Sequence, residues 1–301
     1  MIPTILGRLV PGAVLMAIPL LAQSLNGVID IHVHSDPDVV PRSIDAIDLA
    51  KLAKSRGERA LVLKNHYEPT ASLAYIVRKE VPGIEIFGGI DLNLSVGGVN
   101  PAAVEVALGL GARIVWLPTL SSRQDFDNGV AAQLGIPGPG IVVTDADDRL
   151  LPETREVLAL VKDHDAILAT GHVSAAEHYA VVKEFARDAK VLVTHATEDL
   201  AGPKLTAGQC RELAELGAWI ELCAMTCIGG LATRTVAQMV ETIREVGIGH
   251  VTLGTDFGQK INPHPAAGLQ TYADGLYAEG VGADDIRRMA CDNPRELLGV
   301  E

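Results

Sequence analysis

Residues 28–34 read VIDIHVH, and the alternation within this stretch decides the fold. Ile29, Ile31 and Val33 take turns with Asp30, His32 and His34. A strand sends successive side chains to opposite faces, so the two imidazoles share one face. With the aliphatic residues turned toward covering helices, His32 and His34 point the other way, at the carboxyl end of the strand. The same composition recurs along the chain. Short β-branched runs closing in polar residues stand at 60–66 (ALVLKNH), 84–92 (IEIFGGIDL), 112–119 (ARIVWLPT), 166–172 (AILATGH), 190–195 (KVLVTH), 218–225 (AWIELCAM) and 250–256 (HVTLGTD).

The stretches between these runs carry helix signals. Ser43 reads as an N-cap and Gly57 as the C-terminal glycine of a helix over 44–56. Asn100-Pro101 is an N-cap followed by proline at the first helical position, and Gly247 closes 234–246. Ser174 with Glu177, and Thr206 with Gln209, have the spacing of capping boxes. Eight strands alternating with helices predict an α/β fold, a (β/α)8 TIM barrel. A doubly wound parallel sheet accounts for the alternation equally well, but not for the polar residues at the strand ends.

One barrel domain is expected to take the whole chain, 1–301. Residues 121–151 break the rhythm: Gly129, Gly135 and PGPG at 137–140 precede IVVTDADDRLL, which reads as a hairpin turning at Asp147-Asp148. This insertion follows strand four on the face where such barrels build active sites, and is expected to be a lid or substrate loop. Residues 1–26 are expected to form an N-terminal arm. The apolar run at 9–22 (LVPGAVLMAIPLLA) is interrupted by Pro11 and Pro19, and is shorter than the about 20 residues that cross a bilayer. It reads as packing on the body or on a neighbouring subunit, so a homo-oligomer is expected. The chain carries 38 acidic and 25 basic residues, a net charge of −13, which disfavours nucleic acid and anionic membranes as partners. Four cysteines, Cys210, Cys223, Cys227 and Cys291, include no CxxC pair, so free thiols in a reducing cytoplasm are expected.

The polar strand ends carry the chemistry. His172 ends strand five, His195 strand six and Asp256 strand eight, and in a barrel these ends converge with His32 and His34 on one small volume. Imidazoles and a carboxylate suit a divalent ion, zinc first and Mn, Fe or Co as alternatives.

The ordered set of His-x-His on strand one, His on strands five and six and Asp on strand eight resembles the amidohydrolase superfamily of metal-dependent hydrolases. The likeness runs from Val28 to the C-terminus and includes NPRELLG at 293–299; TGHVSAAE at 170–177 and TDFGQ at 255–259 resemble an uncharacterised branch. The resemblance implies that His32, His34 and Asp256 bind one metal and His172 and His195 a second. Asp256 would then also act as general base toward the attacking water. Many binuclear members bridge their metals with a carboxylated lysine or a glutamate on strand four. Strand four here offers neither, whereas Lys64 ends strand two. Lys64 is therefore expected either to supply the bridge as a carbamate or to stay protonated, in a salt bridge or on a substrate carboxylate.

His66 shares the inward face with Lys64 and is expected to contact substrate, to support a ligand, or to be a core histidine. Trp116 is a pocket wall or a packed tryptophan. Gln259, Asn262 and His264 on the loop after strand eight are substrate-binding candidates. Asp30 is expected to orient an imidazole; Glu221 and Cys223 to fill the barrel; Gly88-Gly89 to mark a crowded spot. His164 and His178 are expected on the surface, and His250 at the opposite end of the barrel.

The expected function is hydrolysis of an amide or cyclic amide C–N bond in a small molecule. A lactone or ester hydrolase and a mononuclear deaminase are the alternatives on the same barrel. The deaminase would use an acid near His172, but Glu177 is already claimed by its capping box. A non-catalytic metabolite-binding barrel is the remaining class, and the intact ligand set argues against it.

Overall fold

The computed structural model describes residues 26–300. Of the expected N-terminal arm, only Asn26 is among them. Eight parallel strands follow one another around a single sheet in chain order. They are β1 (Ile29–Val33), β2 (Ala60–Leu63), β3 (Glu85–Asp91), β4 (Ala112–Trp116), β5 (Ile167–Ala169), β6 (Lys190–Val193), β7 (Trp219–Cys223) and β8 (Val251–Gly254). Closure is made just beyond β8. The Asp256 amide donates to the His32 carbonyl and the His34 amide to the Phe257 carbonyl, each at 2.8 Å. The result is the (β/α)8 barrel that the alternation predicts.

Helices α1 (Ala46–Ser55), α2 (Ala71–Glu80) and α3 (Pro101–Gly109) connect the first strands. Two short helices, α4 (Arg123–Asp127) and α5 (Val130–Gln133), belong to the insertion, and α6 (Pro152–Asp163) leads into β5. The circuit continues through α7 (Ala175–Phe185), α8 (Ala207–Glu215), α9 (Val236–Val246) and α10 (Pro265–Ala278). It ends with α11 (Ala283–Arg287) and α12 (Asn293–Leu298). Outward-facing Leu61, Leu63, Leu168 and Val191 are at most 1% exposed beneath these helices. Such burial is worth about 1.5–3 kcal/mol per side chain.

The expected caps at Asn100, Ser174 and Thr206 are in place, the last two as complete capping boxes. The first helix differs. It begins at Ala46, and Asp45 rather than Ser43 caps it, accepting from the Ile47 and Asp48 amides at 2.9 Å. A carboxylate is well suited to two amide donors at a positive helix end. Gly88 and Gly89 are the crowded spot the sequence suggests: a Cβ on Gly88 would strike the Thr70 backbone, and one on Gly89 the Trp116 ring. Among the described residues no helix is long and apolar enough to cross a membrane.

Candidate metal centre at the carboxyl ends of the strands

His32 is the penultimate residue of β1, and every other expected ligand lies one to three residues past the end of its strand, at the carboxyl mouth of the barrel. His32, His34, Lys64, His172, His195 and Asp256 are all at most 5% exposed. The strands bring them together. Asp256 Oδ1 lies 3.2 Å from His32 Nε2 and 3.1 Å from His34 Nε2. Across the mouth, His195 Nε2 stands 2.9 Å from His172 Nε2. Both His195 and Asp256 hold left-handed backbones, with φ of 26° and 54°. Non-glycine residues rarely adopt this conformation, and strain of this kind concentrates at functional sites.

Buried carboxylates orient the imidazoles. Glu221 Oε2 lies 3.0 Å from His32 Nδ1 and also accepts the His195 amide at 2.9 Å. Asp125 Oδ2 lies 2.6 Å from His172 Nδ1, and its other oxygen accepts the Gly202 amide at 2.9 Å. A carboxylate on Nδ1 fixes the tautomer and turns an Nε2 lone pair to the centre, as metal-binding histidines require. Asp125 went unnoticed in the sequence because it sits in the insertion, 47 residues from its partner. The S-x-x-D spacing of Ser122 and Asp125, which starts α4, was the available signal. Glu221 is therefore more than barrel filling. Asp30 also departs from expectation: it holds the His32 and Thr255 backbone amides, not an imidazole, and burial raises its pKa to about 7.

The electrostatics favour a cation. Burial by itself would lower the His32 pKa, but Asp256 and Glu221 outweigh it and push the value up to about 9. Burial would likewise raise Asp256, yet His32 and His34 hold its carboxyl well below the usual range. Burial keeps His34, His66 and His195 well below the ordinary imidazole value, helped in turn by Arg42, Lys64 and His172. Most of these imidazoles thus offer lone pairs, while a proton on His32 occupies the place between two carboxylates. His32 Nε2 makes no well-aligned hydrogen bond despite full burial, and it faces Asp256 Oδ1 at 3.2 Å, an arrangement that a shared cation would satisfy. Zinc or a related divalent ion fits this donor set.

His32, Cys223 and Asp256 each bring a donor atom within 4.8 Å of the others. Cys223 Sγ, however, lies 3.8 Å from His32 Nδ1, the nitrogen already facing Glu221, and burial pushes its thiol pKa well up. Cys223 thus lies on the Glu221 side of the His32 imidazole.

The remaining candidates separate. Lys64 Nζ is buried without a hydrogen bond, 3.8 Å from Asp91 Oδ2 and 5.4 Å from the Trp116 ring centroid. Trp116 is fully buried and does not line the cavity, so it is the packed tryptophan rather than a pocket wall, its ring centroid 6.1 Å from that of His32. A cavity of about 570 Å³ opens above the centre, and His34, Lys64, His66, His172, His195 and Asp256 lie at its base. Gln259 lines it, with its amide nitrogen donating to the Asp256 carbonyl at 2.8 Å. Asn262 braces Gln259 and the Gly230 amide, and does not line the cavity. His264 is exposed at the start of α10, away from the cavity, because Pro265 begins the helix there and turns it outward. His178 is fully buried, not superficial: its Nδ1 donates to the Ser174 carbonyl at 2.9 Å, and burial lowers its pKa to about 4.

The insertion contributes Asn128, Val130, Gln133 and Leu134 to the cavity wall, and Leu134 also lines an adjoining cavity of about 440 Å³. Its hairpin is one tight turn in which Asp145 caps the Asp147 and Arg149 amides.

A family model described as a family of unknown function (DUF6282) matches residues 27–221. The chain belongs to that family. The match spans β1 to the middle of β7 and includes every site residue except Cys223 and those on the loop after β8. No curated protein matches the sequence. Among solved structures, an amidohydrolase from Pseudomonas aeruginosa is similar at 15% identity, with a TM-score of 0.65 over 92% of this chain and 97% of that one. A metallopeptidase, dipeptidase AC, shows 13% identity and a TM-score of 0.60 over 90% and 98%. The 2,6-dihydroxybenzoate decarboxylase from Rhizobium shows 15% identity and a TM-score of 0.51 over 91% and 99%. At these identities the likeness is one of fold, and it agrees with the amidohydrolase-superfamily resemblance of the sequence.

Proposed function

We propose that the protein is a metal-dependent hydrolase that cleaves an amide or cyclic amide C–N bond in a small molecule. The observation that carries this reading is the position of Asp256 Oδ1, within 3.2 Å of both His32 Nε2 and His34 Nε2, opposite the converging Nε2 atoms of His172 and His195. His32, His34 and Asp256 would hold one ion, and His172 and His195 a second. A bound divalent ion acidifies water and polarises a carbonyl at such a centre. Asp256, kept ionised by its two histidines, accepts the proton of the attacking water and returns it to the departing nitrogen. Glu221 and Asp125 hold the imidazoles in register throughout.

The structure offers little support for a deaminase. Both Glu177 oxygens are engaged, one by the Ser174 amide at 2.8 Å and the other by the Val143 amide at 2.7 Å, so this residue has no free atom for proton shuttling. The cavity supports a substrate with an apolar body and an anionic end. Val130, Leu134, Leu200, Met225 and Leu231 line it. Of its charged wall residues, Arg42 is paired with Asp38 at 2.7 Å and Asp199 with Arg234 at 2.9 Å. Lys204 has no ion pair among the described residues, which leaves it for a substrate carboxylate. We read Lys64 as the ammonium partner of Asp91; a carbamate there would set two like charges side by side.

The test is metal content by elemental analysis, followed by a screen of N-acyl amino acids, cyclic amides and lactones on the loaded protein. Metal near one or two ions per chain with amide turnover supports the reading. Lactone turnover alone moves the chemistry to esters, and loaded protein inert to every class overturns it.

A further inference from the structure

Five imidazoles, one more than the resemblance supplies, enclose the centre. Ring centroids run 5.5 Å from His32 to His34, 5.0 Å from His34 to His66 and 6.0 Å from His66 to His172. They continue 4.7 Å from His172 to His195 and 5.9 Å from His195 back to His32. The circuit closes, and His66 fills the gap between the His32–His34 pair and the His172–His195 pair.

His66 is also held as the ligands are held. Its Nδ1 lies 2.9 Å from Thr119 Oγ1 and 3.2 Å from Asp91 Oδ2. Asn93 locks this arrangement, donating to Thr119 Oγ1 at 2.6 Å and to the His66 carbonyl at 2.9 Å. The pattern repeats Glu221 on His32 and Asp125 on His172: a buried carboxylate on Nδ1 and Nε2 turned inward. His66 Nε2 makes no hydrogen bond within the described residues, and His66 lines the cavity. The His66 side chain is 13% exposed, so its Nε2 opens on the cavity rather than into the core. The Asp91 carboxylate also draws Lys64 Nζ to 3.8 Å, which ties that lysine to the anchor of His66.

We propose that His66 is a metal ligand, completing a three-imidazole site with His172 and His195 for the second ion. Three neutral histidines and an open position form a familiar catalytic-zinc ligand set, and it needs no bridging carbamate. The inference rests on the metal reading above, but its test separates the two.

Metal-free protein is titrated with Zn²⁺ and the ions bound per chain are counted by elemental analysis, for wild type, His66→Ala and His172→Ala. Circular dichroism and thermal melting confirm that each variant is folded. Two ions in wild type are expected. In both variants the weaker-held second ion should lose more than about 100-fold in affinity, beyond the roughly 10–100-fold cost of losing an outer partner. Thr119→Val, which removes one anchor and leaves the imidazole in place, should weaken the same ion by about tenfold. Two ions held with unchanged affinity in His66→Ala overturn the inference and leave the metal reading standing. A wild-type chain that takes up no metal overturns both.

Discussion

Asp125 Oδ2 lies 2.6 Å from Nδ1 of His172, and this contact makes the insertion after β4 part of the candidate metal centre. The same carboxylate accepts the Gly202 amide, so one side chain ties the insertion, the β5 ligand and the loop after β6 together. Asp125→Asn keeps the size of the side chain but weakens its hold on the Nδ1 proton. Affinity for the ion bound by His172 is expected to fall by about 10–100-fold, read by zinc titration against a chromophoric chelator. Unchanged affinity would mean that the contact only packs.

Metal binding should depend on pH through His32. With its pKa pushed up to about 9, His32 carries a proton at neutral pH that an incoming ion must displace. Apparent affinity should therefore rise by about tenfold per pH unit up to about pH 9, then level off. Calorimetry in buffers of different ionisation enthalpy should also detect about one proton released on binding of the ion held by His32. A flat profile would remove His32 from the ligand set.

Glu58 is buried near Asp30, and burial, reinforced by the Asp30 charge, raises its pKa from the ordinary 4.5 to about 8. The folded chain thus keeps a proton that the unfolded chain releases between these values. Its contribution to stability is full below the lower value and is lost as pH rises toward the upper one. Glu58→Gln should match wild type near pH 5 and exceed it by a few kcal/mol near pH 9, a few pKa units being worth about 1.4 kcal/mol each. Denaturant melts at the two pH values check this; equal differences at both would show that Glu58 does not titrate in that range.

Gly258 has a φ of 146°, and a Cβ there would stand 2.6 Å from His34 Cβ and strike the His34 carbonyl. Gly258→Ala is expected to destabilise the fold by about 1–3 kcal/mol through overpacking, on top of the cost of its backbone conformation. Because the clash falls on a ligand, metal content should drop as well. A melt unchanged within error would show that the loop after β8 shifts freely.

The sites differ in how legible they were. His32 and His34 could be read because a strand's period of two is local, and His172, His195 and Asp256 because each ends a β-branched run. Trp116 could not be placed as pocket wall or packed tryptophan from its strand alone: the choice depends on Gly89 of the neighbouring strand, which leaves room for the ring. His264 looked close to the site in sequence, but the start of α10 carries it outward. His178 looked superficial because a capping box usually marks an exposed helix start, yet the insertion covers this one, with Val143 bonded to Glu177.

By itself, then, the sequence determined the barrel and the strand ends that bring the candidate ligands together, the Asp256 carboxylate among them. These follow from local periodicity and chain order, which the backbone obeys wherever the segments pack. Only the tertiary structure decided that Asp125, Glu221 and Asp91 steady the imidazoles, that Lys64 faces Asp91, and that His66 closes the ring. Those contacts join residues 25 to 189 positions apart, and no local pattern encodes a pairing made only when the barrel closes.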